Sequence, residues 1–257
     1  MITLQKVRRD APWNWLKAGW ADMMRAPGVS LSYGLVFVGI GALITGGLWA
    51  LNLGAVAPVA LSGFALIAPA LAIGIYQVSR ALERGEQPRF GDIISQFPER
   101  ITQIAFLSLL LLLLLMAWLE IAQFMFVIIA PGTPLSPGAF LEFSLSEPAG
   151  MTLLVLGTIV GSALAGVAFA ISVIAFPMLV DQDVDAVTAL VASVTAVRRQ
   201  PFVMFTWAWL IGFMTVAGTA FFLIGLALVF PWLAHASWHA YKEFAPSPSA
   251  SSSASGG

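Results

Sequence analysis

Cysteine is absent from this 257-residue sequence, and histidine occurs only twice. A chain without cysteine forms no disulfide, offers no thiol nucleophile and supplies no thiolate ligand to a metal. Charge is also scarce, because Asp, Glu, Lys and Arg make up 10% of the chain, compared with about 25% in soluble domains. The formal net charge of -1 gives no overall attraction to nucleic acid, so we expect no nucleic-acid partner.

Apolar residues dominate instead. They make up 59% of the chain, and the mean hydropathy is +0.91. Runs of about 20 such residues, the length of a transmembrane helix, recur along the sequence, which predicts an all-α polytopic membrane protein. Six transmembrane helices are expected near Leu31–Leu51, Ala55–Val78, Ile101–Leu119, Met151–Phe176, Phe202–Phe222 and Gly225–Tyr241.

The distribution of basic residues supports six spans. All 12 Lys and Arg residues then fall on one side, whereas the loops around Asn52, from Pro131 to Gly150 and near Leu223 contain none. Short loops rich in Lys and Arg stay in the cytoplasm, and a five-span arrangement would place Lys242 on the other side. We therefore predict a multi-pass membrane protein with both termini in the cytoplasm.

Three regions follow from this arrangement. Residues 1–28 are predicted to form a cytoplasmic amphipathic interfacial segment, and residues 29–244 the six-span transmembrane domain. Residues 245–257 consist mainly of Ala, Ser, Pro and Gly. This tail has too little apolar surface to bury, so we expect it to be disordered.

The interfacial segment contains a predicted helix that starts near Asp10 and Pro12. Trp13 and Trp20 are expected to anchor it at the inner leaflet, with Lys17 close to anionic headgroups, so membrane lipids are predicted partners. A lipid sensor is one interpretation of this helix, and the favoured interpretation is an ordinary elbow that packs against the spans.

A second amphipathic helix is predicted after the fourth span. Asp181 to Asp185 precede a run with valines on one face, and Arg198 and Arg199 close it. Acidic residues at the start and basic residues at the end suit the helix dipole, which favours a capping role. The alternative is a divalent-cation loop built from the three aspartates.

Similar features recur before and inside the helix pairs. Arg25-Ala-Pro precedes the first pair and Arg199-Gln-Pro the third, while the segment from Phe90 to Arg100 precedes the middle pair. Prolines recur inside the returning spans, at Pro69, Pro177 and Pro231. These recurrences suggest three parallel two-helix repeats.

His235, His239 and Glu243 follow one another at four-residue spacing and share one helix face. Ionisable residues inside a membrane are candidate functional residues, so we treat His235 and His239 as a candidate intramembrane polar site, together with Glu120 near the outer boundary. As metal ligands, the series would need at least one more donor from elsewhere. We favour hydrogen bonding to neighbouring spans and predict no metal and no cofactor.

Gly157, Gly161 and Ala165 recur every four residues in the fourth span. Such a small-residue face lets another helix approach closely. The partner is either another span or a second copy, so the oligomeric state stays open.

Four phrases carry a resemblance to a known family: "APWNWLKAGWADMMRAPGVSLSYGLVF", "IAPALAIGIYQVSRALERGE", "FPMLVDQDVDAVTALVASVTAVRRQP" and "FPWLAHASWHAYKE". From about Val7 to Phe244 the chain resembles the bacterial integral membrane family catalogued as domain of unknown function 2189. The resemblance implies a multi-pass inner-membrane protein and no particular activity.

The sequence contains no Gly-rich phosphate loop and no HExxH motif, and two histidines leave little material for an imidazole-based active site. We therefore predict that the protein is not an enzyme. The favoured function is an accessory, assembly or envelope factor that acts with another inner-membrane protein or complex. The alternative is a permease for a small or amphipathic solute with His235 lining the path, and a third interpretation is a metal or haem carrier.

The predicted orientation is tested by reporter fusions. A reporter that is active only in the periplasm should stay inactive when it is fused after Gly257, because the last span is expected to return to the cytoplasm. The same reporter placed after Asn52 should be active. Activity at the C-terminus would show that the last two spans are wrongly placed.

Overall fold

The computed structural model describes residues 5–91, 101–134, 136–220 and 224–245, and most of them are helical. In chain order the helices are α1 (Ala11–Arg25), α2 (Pro27–Ala50), α3 (Ala57–Leu66), α4 (Ala68–Leu71), α5 (Ile73–Glu83), α6 (Ile101–Ile129), α7 (Pro137–Ser146), α8 (Pro148–Ser172), α9 (Ala175–Asp181), α10 (Ala186–Arg199), α11 (Pro201–Ala220) and α12 (Leu226–Phe244). These ranges contain no strand, so the all-α prediction is confirmed. The turn near Leu223, residues 92–100 and residues 246–257 of the predicted tail lie outside the described ranges.

The two ends of the described chain meet at one end of the helix bundle. The Gln5 amide donates to the Phe244 carbonyl at the end of α12 (3.2 Å), and the Val7 amide donates to Oε1 of Gln200 between α10 and α11 (2.8 Å). Helices α5 and α9 also end there. Their last residues, Glu83 and Asp181, both form ion pairs with Lys242 of α12. We call this end of the bundle, where Lys242 and the joint between α10 and α11 lie, the basic end.

Helix α12 lies at the centre of the helices that meet at the basic end. Nearly every residue from Phe230 to Tyr241 is buried. Helix α1 crosses α12 where Gly19 meets the backbone of Ala236, and α2 approaches where Gly34 meets the carbonyl of Ala227. A Cβ atom at either glycine would collide with that backbone, so the close approach of these helices depends on the missing side chains.

Four helical segments in the described part of the chain are long and apolar enough to cross a membrane: α2, α6, α11 and the combined segment Pro148–Asp181. The six-span count is therefore not confirmed by length and apolarity. The second expected span, Ala55–Val78, is divided into α3, α4 and α5 around Pro69, which lacks an amide hydrogen and interrupts a continuous helix. The sixth, Gly225–Tyr241, corresponds to α12, whose C-terminal half carries many polar side chains.

The opposite end of the bundle departs from the sequence-based expectation. Helix α6, expected to end near Leu119, continues to Ile129. The region from Pro131 to Gly150, expected to be a loop, contains α7, which starts with a proline in its first turn. The rings of Phe126 and Phe140 join α6 to α7 at a centroid distance of 6.2 Å.

Helices α1 and α10 are joined to the long helices that follow them by the same backbone geometry. Ala26, before α2, has φ -130° and ψ 56°, and Gln200, before α11, has φ -131° and ψ 60°. A proline, Pro27 or Pro201, then begins the long helix. The Arg-x-Pro recurrence in the sequence thus corresponds to a recurrent helix–helix joint.

Two valines of α10, Val187 and Val191, point away from the bundle. Its small residues Ala189, Ala192 and Ser193 are buried, whereas Val187 and Val191 are exposed. Small side chains let α10 lie close to α8 and α9, and the outward valines give it an apolar outer face. This arrangement is typical of a helix at a membrane interface.

The contact between α2 and α12 is tested by one substitution in α2 and a matched control. Gly34→Ala should lower the apparent melting temperature of the detergent-solubilised protein, because the new methyl group meets the Ala227 carbonyl. Overpacking of this kind costs about 1–3 kcal/mol. Gly39→Ala introduces the same methyl group into open space and should be neutral or stabilising, since Ala is the better helix former. Equal effects of the two changes would contradict the packing described here.

Candidate functional site

His235, His239 and Glu243 form one face of α12, as their spacing predicts, and we call them the α12 polar series. They do not converge on a common point. His235 contacts α2 and α5, whereas His239 and Glu243 contact α1. The series therefore ties α12 to three other helices.

Both ring nitrogens of the fully buried His235 are hydrogen-bonded. Nε2 lies 3.0 Å from Oγ of Ser30, and Nδ1 lies 2.7 Å from Oγ of Ser79. Ser30 donates its hydroxyl hydrogen to the carbonyl of Ala26 (2.9 Å), so its oxygen accepts from Nε2–H and Nδ1 accepts from the Ser79 hydroxyl. The network satisfies a neutral imidazole completely and leaves neither nitrogen free for a metal or a solute.

His239 is paired with a carboxylate that the sequence-based analysis did not single out. Its Nε2 lies 2.8 Å from Oδ2 of Asp22, and Asp22 is only 4% exposed. Arg25 approaches the other carboxylate oxygen at 3.6 Å. Because a buried carboxylate without a partner is strongly destabilising, this pair couples the position of α1 to that of α12.

Glu243 completes the series by accepting a hydrogen bond from Nε1 of Trp15 on α1. The Trp15 ring also meets Trp207 of α11 edge to face, with 5.5 Å between centroids. Both tryptophans are buried. Helix α1 is thus held to the basic end by ring packing as well as by polar contacts.

Another group of polar contacts on α12 faces α5 and α9. Nε1 of Trp238 donates to Oε1 of Glu83 (2.8 Å), and the Tyr241 hydroxyl donates to Oδ2 of Asp181 (2.7 Å). Lys242 bridges both carboxylates, at 3.3 Å from Glu83 and 3.2 Å from Asp181. Carboxylates are unfavourable at helix C-termini, and the shared lysine offsets this for both helices.

Each carboxylate of the contacts above is paired with a hydrogen-bond donor. Among the described residues no group of three His, Asp or Glu side chains could hold a metal ion. Asp185 caps α10 by accepting from the Thr188 amide (2.9 Å). The hydrogen bond from the Thr188 hydroxyl, and then that from its amide, lowers the pKa of Asp185. Asp181 pairs with Tyr241 and Lys242, so Asp181 and Asp185 have separate partners.

Glu120 lies apart from these contacts. Its side chain is exposed on α6, and no hydrogen bond or ion pair joins it to another described residue. The structure therefore does not bring Glu120 together with His235 or His239.

The small-residue face of α8 is only partly covered. Gly161 lies against the ring of Trp118 on α6, but no atom comes within 4 Å of the position of a Cβ at Gly157. Ala165 is exposed. The ring of Trp118 is held in place because its Nε1 donates to the Val59 carbonyl (3.0 Å).

The predicted interfacial anchors lie on the outer face of α1. Trp13 is 59% exposed and Trp20 38% exposed, and Lys17 is exposed between them. The opposite face, with Trp15 and Gly19, is buried against the bundle. Helix α1 thus packs against the bundle on one face and exposes the predicted anchors on the other.

The residues that complete the site were missed from the sequence. Asp22 carried a usable signal, because it lies seven residues after Trp15 and three after Gly19 and therefore shares their face. Ser30 and Ser79 carried none, since a single serine in an apolar run is common. Only the packing of α2 and α5 against α12 selects them.

The helical architecture and the four segments that can cross a membrane define an integral membrane protein of the α-helical class. The family described as "Predicted integral membrane protein (DUF2189)" matches residues 56–181, and the resemblance to this family is confirmed. The matched region extends from the 3-10 helix Gly54–Val56 to α9 and contains Ser79, but α1 and α12 lie outside it. No curated protein and no solved structure matches the chain.

The pairing of Asp22 with His239 is tested by a double-mutant cycle with Asp22→Ala and His239→Ala. The two changes should be coupled by about 0.5–3 kcal/mol, the range for residues in direct contact, because either single change leaves the other group without its main partner. Denaturation of the purified protein in detergent measures the coupling.

A cycle on Arg8 and Asp10 provides the control. This ion pair has side chains that are 81% and 54% exposed, and exposed pairs contribute at most about 1 kcal/mol. A coupling at Asp22 and His239 that does not exceed the control would show that the buried pair does not hold α1 to α12.

Proposed function

We propose that this protein is a non-enzymatic, six-span protein of the bacterial cytoplasmic membrane that acts as an accessory, assembly or envelope factor beside another membrane protein. The observation that carries the proposal is the complete internal pairing of its most deeply buried ionisable residue, His235. A side chain bonded at both nitrogens to Ser30 and Ser79 stabilises the contact of three helices and offers no group to a substrate.

A small cavity between four helices supports the same conclusion. A cavity of about 50 Å³ between α2, α3, α11 and α12 is apolar apart from Thr215 and Thr219. Small-molecule sites have volumes of about 300–1,000 Å³. The cavity is thus too small for a solute path, which favours an accessory role over the permease alternative.

The basic end supports the proposed threading. Gln5 and Phe244 are joined by a backbone hydrogen bond, so the first and last helices start and finish on the same side of the bundle. Gly218 and Gly225 are in backbone contact, as a hairpin between α11 and α12 requires. Placing this end in the cytoplasm agrees with the position of Lys and Arg in short loops.

The recurrent joints support an internal repeat. Helix α1 precedes the first helix pair and packs on α12, the returning helix of the third pair. Helix α10 precedes the third pair and packs on α8 and α9, the returning segment of the second. Both amphipathic helices among the described residues therefore pack on the returning helix of another pair, which supports a ring of three repeats.

The partner surface is tested by site-specific crosslinking in native membranes. A photoreactive amino acid at position 157, on the uncovered part of the α8 face, should give one defined product with another membrane protein. The same amino acid at position 212, where a Cβ also meets nothing within 4 Å, serves as the matched control on α11. Mass spectrometry of the purified product identifies the partner.

Two outcomes would contradict the accessory role. One is the same set of products from both positions, which is the pattern of random collisions. The other is a protein that purifies alone and whose deletion abolishes uptake of a solute, which would favour the permease.

A further inference from the structure

A shallow groove of about 410 Å³ runs along the outside of the bundle between α1 and α12. Leu16, Lys17 and Trp20 of α1 line one side, and Leu228 and Trp232 of α12 line the other. On each helix an aliphatic and an aromatic residue four positions apart lie next to each other. The groove is therefore bounded by two apolar rows, with a lysine beside one of them.

The walls of the groove are fixed by protein contacts. Nε1 of Trp232 donates to the Leu16 carbonyl (2.8 Å), which attaches the ring of α12 to the backbone of α1. The Trp20 ring meets Trp232 edge to face at a centroid distance of 4.9 Å. Side chains that are already ordered lose less conformational entropy when a ligand binds than mobile side chains do.

Two residues that carry polar donors, Lys17 and Trp20, line the α1 side of the groove. Lys17 is the one charged residue among the described residues that line it, and neither Lys17 nor the indole N–H of Trp20 is bonded to another described residue. The two residues are three positions apart and so share one side of α1. The groove is thus an apolar trough that Lys17 and Trp20 border on the α1 side.

We propose that this groove binds one anionic phospholipid of the surrounding bilayer. Its acyl chain lies against Leu16, Leu228 and Trp232, and its phosphate accepts from Lys17 and Trp20. A phospholipid fits both features, because it joins an apolar chain to an anion and because the protein is embedded among such molecules. Lysine suits this position, since its apolar stem can lie along the groove while its ammonium group reaches the headgroup.

The bound lipid contacts both α1 and α12 and so adds to their attachment near the basic end. This inference requires only that the protein lies in a membrane and is independent of the accessory role.

The test uses the full-length protein in nanodiscs of phosphatidylcholine that contain a small fraction of phosphatidylglycerol with a photoreactive acyl chain. Mass spectrometry locates the labelled residues. Labelling should concentrate on Leu16, Trp20, Leu228 and Trp232. Lys17→Glu should reduce it there by about fivefold, which corresponds to about 1 kcal/mol per basic residue near anionic lipid.

Two further variants separate charge from shape. Lys6→Glu makes the same charge change at an exposed residue that does not line the groove, and it should leave the labelling unchanged. Leu228 lines the groove and is 38% exposed. Leu228→Trp should fill the groove and so reduce labelling by the anionic probe and also by a photoreactive phosphatidylcholine. Circular dichroism of each variant checks that the helices remain folded.

Equal labelling of the groove by the phosphatidylglycerol and phosphatidylcholine probes in the unaltered protein would overturn the proposal, since it would show that the groove holds ordinary bilayer lipid without preference for an anion. So would labelling that Lys17→Glu leaves unchanged. Crosslinks through the groove between two copies of the chain would assign it to a protein interface instead.

Discussion

The requirement that buried polar groups be paired determines how this bundle is assembled. An unpaired polar side chain inside a low-dielectric protein interior costs several kcal/mol, and α12 carries more such groups than an ordinary lipid-facing helix. His235 finds its partners on α2 and α5, His239 on α1, and Tyr241 on α9. Each bond fixes the position of another helix relative to α12. Removing α12 would therefore expose polar groups on four neighbouring helices at once.

This arrangement explains why α12 differs from the helices long and apolar enough to cross a membrane. Those helices turn large apolar side chains outward, such as Leu113 on α6 and Phe205 on α11, as contact with lipid requires. Helix α12 is instead surrounded by protein along most of its length, so its polar content does not have to be low. The glycines at its contacts with α1 and α2 allow neighbouring backbones to come close. Close backbone contact and internal hydrogen bonds together stabilise helix association in lipid, where the hydrophobic effect between helices is weak.

A closed interior and an uncovered lateral surface are consistent with a protein that acts through contacts. Both histidines of α12 are committed to internal bonds, whereas a Cβ at Gly157 would meet no atom within 4 Å and the groove beside Lys17 is open. The family match covers residues 56–181 and leaves out α1 and α12. Two surfaces are proposed for recognition. The α8 face lies inside the region that the family model matches, whereas the α1–α12 groove lies outside it.

The sequence by itself determined the helical class, the membrane environment, the start of α1 and the shared face of His235 and His239, because these depend on composition and on the 3.6-residue period of a single helix. Only the tertiary structure decided what that face contacts. Asp22 and His239 are far apart in sequence, and neither His235 nor Ser79 signals the other by local spacing. The outward valines of α10 and the interior position of α12 were also beyond local patterns, since an apolar stripe suits lipid and protein equally well. Whether lipid or protein covers an apolar stripe depends on the packing of helices that are distant in the chain.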